Sequence, residues 1–279
     1  MQKLRPSRTA QFVSYNRALG NLAPAVAGFS DPVAEQLLPS RWKKNVEKAR
    51  QKLPASPYRF WFRGMAIFNQ FRTVVLDRAI LSALPVPQLV ILGAGFDSRA
   101  WRLRGLERTV VFEVDHPDTQ RIKHGRVERM QALAQSVRYV SMDFTREQLP
   151  PKLIDAGFDV RAKTFWLWEG VTMYLLPEAV AGMFDAVGEC SVPESRIALT
   201  YMAKKDGKIP RSLFLRLVGE PVLAAFTPEE LSAAARKSGW TIQEDTGIKN
   251  WKQRFAATYP LSERNVGMQW NERVAVAVR

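Results

Sequence analysis

The sequence predicts an α/β protein, with a doubly wound sheet of about seven strands over residues 85–279 and a helical N-terminal extension over residues 1–84. Three observations predict it. Strand-like and helix-like stretches alternate from residue 88 onward. The first strand, Leu89–Leu92, is a continuous apolar run, as expected where both faces of a parallel sheet are buried. That run ends in Gly93-Ala94-Gly95, where glycines let a strand turn tightly into a helix.

Each element has its own signal. Asp31-Pro32 before VAEQLL reads as a helix start, with Asp31 at the N-cap and Pro32 at the first helical position. Residues 41–52 are polar and basic. Phe68, Phe71, Val75, Ile80 and Leu81 recur at helical spacing, so residues 60–83 read as a helix. LPVP then breaks the chain before the first strand. TVVFEVD at 109–115, VRYVSMD at 137–143, TFWLWE at 164–169 and RIALTY at 196–201 read as four more strands. Helical stretches fall between them at 118–134, 146–156 and 177–189. Thr227-Pro228-Glu229-Glu230 is a capping box opening a helix to about Ser238, stopped by Gly239. Residues 240–245 and 274–278 supply the last two strands.

Composition narrows the class. The 279 residues carry 41 Lys and Arg against 27 Asp and Glu, a formal net charge of +14, and 46% are hydrophobic. This excludes wholesale disorder and a fibrous repeat. A single cysteine, Cys190, excludes an intrachain disulfide framework and a Cys-based zinc cluster. Two histidines, His116 and His124, leave little material for a metal site, and no metal is expected. No apolar stretch approaches the roughly 18 residues of a membrane span, and no secretory leader is read, so the expected compartment is the cytoplasm.

The charge is uneven. Residues 1–72 hold 13 Lys and Arg against 3 Asp and Glu, whereas residues 73–279 hold 28 against 24. Such a segment can attract nucleic acid, anionic lipid, an acidic protein or an anionic small molecule. A solvated helix surface is the simpler reading, and no compact nucleic-acid motif accompanies it.

Candidate binding residues gather at strand ends. Gly93, Ala94 and Gly95 follow the first strand, but Ser98 stands where the dinucleotide fingerprint G-x-G-x-x-G has its third glycine. Asp97 would repel a pyrophosphate at the following helix start; it suits a cofactor with cationic groups and no phosphate, or it is simply a helix cap. Asp115 lies 22 residues after Gly93, the spacing of the acid that binds ribose hydroxyls in such folds. Glu113 shares its face of the strand. Asp143 ends the third strand, within reach of an adenine. Glu169 ends the fourth, where it can take a cationic amine.

The segments QLVILGAGFDSRAWRL, VVFEVDHPDTQRIK and FWLWEGVTMYL resemble the leucine carboxyl methyltransferase-like family of S-adenosylmethionine-dependent methyltransferases. SRTAQFV, DPVAEQLLP and FRTVVLD resemble that family's leader region, and the resemblance covers roughly residues 5–205. It implies a Rossmann-like fold, S-adenosyl-L-methionine as cofactor, and an N-terminal extension covering the cofactor site. By position, it implies Gly93 against the cofactor, Asp115 at the ribose, Asp143 and Phe144 at the adenine, Glu169 near the amino-acid end and Arg72 paired with the cofactor carboxylate. Arg17 is a looser second basic contact. The C-terminal third matches poorly, so the acceptor is not read from it.

Methyl transfer is an in-line displacement in which the cofactor supplies methyl and leaving group. An ionised carboxylate needs no general base, whereas a hydroxyl does. The expected reaction is therefore O-methylation of a carboxylate or hydroxyl on a small or carrier-bound, anionic acceptor. His116, Tyr174 and Tyr201 are substrate-facing candidates. No catalytic residue is assigned, and no stable nucleic-acid partner or membrane insertion is expected. Two alternatives stand beside it: a nicotinamide-dependent oxidoreductase, and a nucleic-acid-binding or -modifying protein using the basic segment.

Overall fold

A computed structural model describes residues 8–52, 60–144, 146–210, 221–255 and 261–279. Seven strands form one sheet: β1 (Gln88–Leu92), β2 (Val110–Asp115), β3 (Ser136–Ser141), β4 (Thr164–Trp168), β5 (Arg196–Met202), β6 (Thr241–Gly247) and β7 (Glu272–Val278). Their order is β3-β2-β1-β4-β5-β7-β6. The first five run parallel, while β7 runs antiparallel to both β5 and β6. The order reverses between β1 and β4, and ligands of open α/β sheets bind at the carboxyl ends of strands beside such a reversal.

The apolar runs explain the layering. Leu89 and Ile91 of β1 join one buried cluster, together with Phe165 and Leu167 of β4. Val90, Leu92, Trp166 and Trp168 point the other way into a second cluster. Strands buried on both faces need helices on both. The first cluster is closed by α3 (Phe60–Leu81) and α9 (Ile248–Arg254). The second is closed by α6 (Leu149–Asp155), α7 (Pro177–Glu189) and α8 (Pro228–Lys237). Thus α3 is continuous with the sheet's core, while α1 (Arg8–Leu22) lies over the ligand edge. Next to α1, α2 (Ser40–Lys52) packs through Trp42 and Val46 and leaves Arg41, Lys43, Lys44 and Lys48 exposed. Among the described residues, no helix is long and apolar enough to cross a membrane.

Several boundaries differ from the sequence expectation, each for a local reason. Residues 32–37 form turns instead of a helix. Asp31 still caps, accepting the Ala34 N–H at 2.9 Å, but its other oxygen accepts the Ser98 hydroxyl at 2.7 Å and ties the segment to the core. The helix expected over 118–134 is α5 (Pro117–Val127) and stops early. The N–H groups of Leu133 and Ala134 both donate to the Ala100 carbonyl, at the short helix α4 (Arg99–Arg102), and draw the chain away. The helix expected from residue 146 starts at Leu149, because Pro150 and Pro151 fit only its first turn. The capping box is present: Thr227 Oγ1 accepts the Glu230 N–H at 3.2 Å, and the Glu230 carboxylate accepts the Thr227 N–H at 2.8 Å.

Candidate active site

A cavity of about 560 Å³ opens at the carboxyl ends of β1, β2 and β4. Its size is that of a pocket for one small-molecule cofactor and more. The β1 turn forms one wall. Gly93 has φ +67° and Gly95 φ +49°, in the left-handed region that favours glycine. A Cβ on Gly93 would collide with the Val171 side chain. The Gly93→Ala variant is therefore expected to weaken cofactor binding at least tenfold in a calorimetric titration, through backbone strain and loss of close approach.

Asp115 sits across from this turn. Its two oxygens accept the backbone N–H groups of Gly95 and, at 2.6 Å, His116. Burial nevertheless pushes its carboxyl above the usual value. Held this way, the carboxylate keeps lone pairs for hydroxyl donors in the cavity it lines. Glu113, two residues earlier, is fully buried and pairs with Lys123 Nζ at 2.7 Å; burial raises it to about 7. It braces α5 against β2 behind the cavity.

The other polar wall is an ion network. Arg72 Nε lies 2.8 Å from Glu169, and Arg72 Nη1 donates to Glu272 at 2.9 Å. Arg99, fully buried, reaches Asp77 at 2.7 Å, Glu169 at 2.8 Å, and Asp97. Asp97 also accepts the Arg99 N–H at 2.7 Å. Despite their burial, Asp77, Asp97 and Glu169 are held below their ordinary values, because guanidinium groups lie beside them. Arg17 donates to the Phe96 carbonyl at 2.6 Å and lies 3.4 Å from Asp31.

Of the residues expected at the site, the cavity gathers Arg17, Arg72, Gly93, Ala94, Gly95, Asp97, Asp115, Phe144, Glu169 and Tyr174. Three expected residues lie outside its lining. Asp143 points to Arg146 at 3.7 Å, and its N–H donates to Glu147 at 2.9 Å. His116 is exposed and caps α5, its Nδ1 accepting the Asp118 N–H at 3.3 Å. Tyr201 is fully buried within the sheet; its hydroxyl donates to Asp245 at 2.6 Å and accepts from Arg273 at 3.0 Å. Its position on β5 turns it to the sheet face opposite the one that would approach the cavity.

The sequence reading passed over Met65, Phe68 and Asn69 as lining residues. They share one face of α3 with Arg72, at the spacing i, i+3, i+4 and i+7, which marks a common face once Arg72 is taken as a site residue. Met173 stands beside Tyr174 in the segment after β4, whereas Met202, Gln269 and Glu272 carried no such signal, since they meet the cavity only through the strand order.

The fold is one that solved methyltransferase structures share, and the sequence comparison sets the family. The chain belongs to the leucine carboxyl methyltransferase family, whose sequence model matches residues 10–188. A Streptomyces coelicolor protein named "Putative S-adenosyl-L-methionine-dependent methyltransferase" is 31% identical over 225 residues, 77% of this chain and 73% of that protein. A Mycolicibacterium gilvum protein of the same name is 41% identical over 142 residues, 50% of this chain and 45% of its own length. The matched stretch is thus less than half of that relative. A solved structure of a "putative methyltransferase" from Thermobifida fusca shares the fold with a TM-score of 0.58 at 14% identity, over 100% of this chain and 96% of that one.

Proposed function

We propose that this protein binds S-adenosylmethionine in the 560 Å³ cavity and transfers its methyl group to a carboxylate or hydroxyl oxygen of a small or carrier-bound acceptor. The observation that carries the reading is that one cavity is lined by the β1 glycine turn, by Asp115 with both oxygens on backbone N–H groups, and by Glu169 beside Arg72. The donor set suits this cofactor. Asp115 is an acceptor for ribose hydroxyls, the open β1 turn admits close backbone approach, and the acids match a ligand that carries cations. A pyrophosphate would meet Asp97, which stays ionised against Arg99, and this disfavours the nicotinamide reading.

When bound, the cofactor supplies the activated methyl and its leaving group. The chain's task is alignment and exclusion of water. Met65, Phe68, Met173 and Met202 give the remaining space an apolar, adaptable lining for an acceptor's body. No His or Lys occurs in that lining among the described residues; an acceptor oxygen that is already ionised needs no base, and a hydroxyl would have to give its proton to one of the lining carboxylates. The exposed cations of α2 would draw an anionic acceptor toward the helix that covers the cavity.

The test is incubation with methyl-tritiated S-adenosylmethionine and a pool of small organic acids and phenols. Label released as methanol by mild alkali marks a carboxyl ester, and label that resists alkali on a neutral product marks an ether; either supports the reading. Label retained on an amine or on RNA would contradict it.

A further inference from the structure

The helix α2 presents a cationic face. Trp42, Val46 and Ala49 turn inward onto α1, where the Trp42 ring meets Tyr15 at 4.6 Å and Phe12 at 6.4 Å between centroids. Arg41, Lys44 and Lys48 follow one another on the outer side at the spacing i, i+3 and i+7, with Lys43 beside them, and all four are exposed. Among the described residues, none of the four has an ion-pair partner. The one acid of the helix, Glu47, is spent on Arg50, which also takes Glu35 at 2.6 Å. Phe12 lines the cavity and packs edge-on against Trp42, so α2 stands one side chain away from it.

Exposed apolar side chains stand near the cavity as well. Leu176 is 58% exposed two residues beyond Tyr174, the Leu223 N–H donates to the Met173 carbonyl at 2.7 Å, and Ile209 follows the hairpin after β5. Apolar exposure alone decides nothing, since Leu81, Leu133, Ile154 and Val160 are exposed on segments that lead into β1, β3 and β4. The charge of α2 decides the partner. Protein interfaces centre on aromatic and apolar anchors and are poor in lysine. Single-stranded nucleic acid binds where cations alternate with stacking aromatics. The one aromatic of α2 is turned inward, so its outer face has neither. A lipid surface needs neither, because anionic headgroups take clustered cations on a helix without shape complementarity. The apolar lining of Met65, Phe68, Met173 and Met202 agrees with this, since molecules with an apolar body concentrate in bilayers.

We propose that α2 docks this protein on an anionic lipid surface, with Arg41, Lys43, Lys44 and Lys48 against the headgroups and the ligand edge of the sheet turned toward the bilayer. The docking is peripheral. It stands on the charge of α2 and holds whichever reaction the cavity performs.

The test is cosedimentation of the full chain with two kinds of vesicle, phosphatidylcholine alone and phosphatidylcholine with about one third phosphatidylglycerol. The wild type is expected to bind only the anionic vesicles and to be released by about 0.5 M salt. Each cation close to such a surface strengthens binding about fivefold, so Lys43→Glu, Lys44→Glu and Lys48→Glu together are expected to weaken it by roughly thirtyfold or more. Arg104→Glu, Arg108→Glu and Lys237→Glu make the same change in net charge at exposed positions before β2 and β6. They are expected to leave binding within about threefold of the wild type, because the attraction falls off within a Debye length. Where the α2 variant fails to fold, glutamine at the same three positions takes its place, with an expected loss of roughly tenfold or more. Equal binding to both vesicles, binding to neither, or an equal loss in the two triple variants would overturn the proposal. Retention by polyuridylate that only the α2 variant loses, without vesicle binding, would overturn it in favour of nucleic acid.

Discussion

Replacing Arg99 with methionine is expected to lower unfolding stability by about 3–5 kcal/mol, the usual effect of removing one partner from a buried ion pair. Arg99 is fully buried and serves Asp77, Asp97 and Glu169 at once. Methionine fills much of the volume but leaves those acids facing each other. The loss is expected to depend on pH in a definite direction. Asp77, Asp97 and Glu169 have folded-state pKa values below their ordinary ones. Their contribution to stability is therefore fully present above the ordinary carboxylate range and is lost as pH falls below that range toward their lower folded-state values. The variant lacks much of that contribution. The gap between wild type and variant, measured by chemical denaturation, is expected to be widest near pH 7 and to narrow toward pH 4. A gap of constant size would mean that Arg99 acts through packing alone.

The second large effect is on ligand binding. Asp115→Ala is expected to weaken S-adenosylhomocysteine binding by about 1–3 kcal/mol, through lost charge-assisted hydrogen bonds to ribose hydroxyls. The same change frees the N–H groups of Gly95 and His116, so the β1 turn loses a brace. Asp115→Asn separates the two contributions. Its side-chain oxygen can keep one N–H partner, but its amide nitrogen cannot accept from a hydroxyl. It is expected to retain the melting temperature of the wild type more closely than its affinity. Unchanged affinity in both variants, read by calorimetry, would place the ribose elsewhere.

Local residue patterns made the sheet legible. Leu89–Leu92 and Thr164–Trp168 are apolar without interruption because both sheet faces are covered, and Pro228 and Pro177 mark helix starts because proline suits a first turn. Asp115 was legible as a cavity residue for the same reason, since Gly93 follows β1 and Asp115 ends the adjacent β2, one crossover later. What stayed hidden depends on distant pairing. The antiparallel β7 beside β5 brings Glu272 within 2.9 Å of Arg72, 200 residues away in the chain. Asp31 marks a helix start in sequence, yet Ser98, Arg17 and Arg102 draw it into the core instead. Tyr201 has the composition of a substrate-facing residue, but its alternation along β5 sends it to Asp245 and Arg273. His116 follows Asp115 directly and is nevertheless spent on capping α5.

The most direct measurement is a calorimetric titration of the wild-type protein with S-adenosylhomocysteine, beside NADH and NADPH. The site described here predicts one-site binding of S-adenosylhomocysteine, no heat from either nicotinamide, and a weaker complex in Asp115→Ala. Binding of a nicotinamide without S-adenosylhomocysteine, or S-adenosylhomocysteine binding indifferent to Asp115, would contradict it.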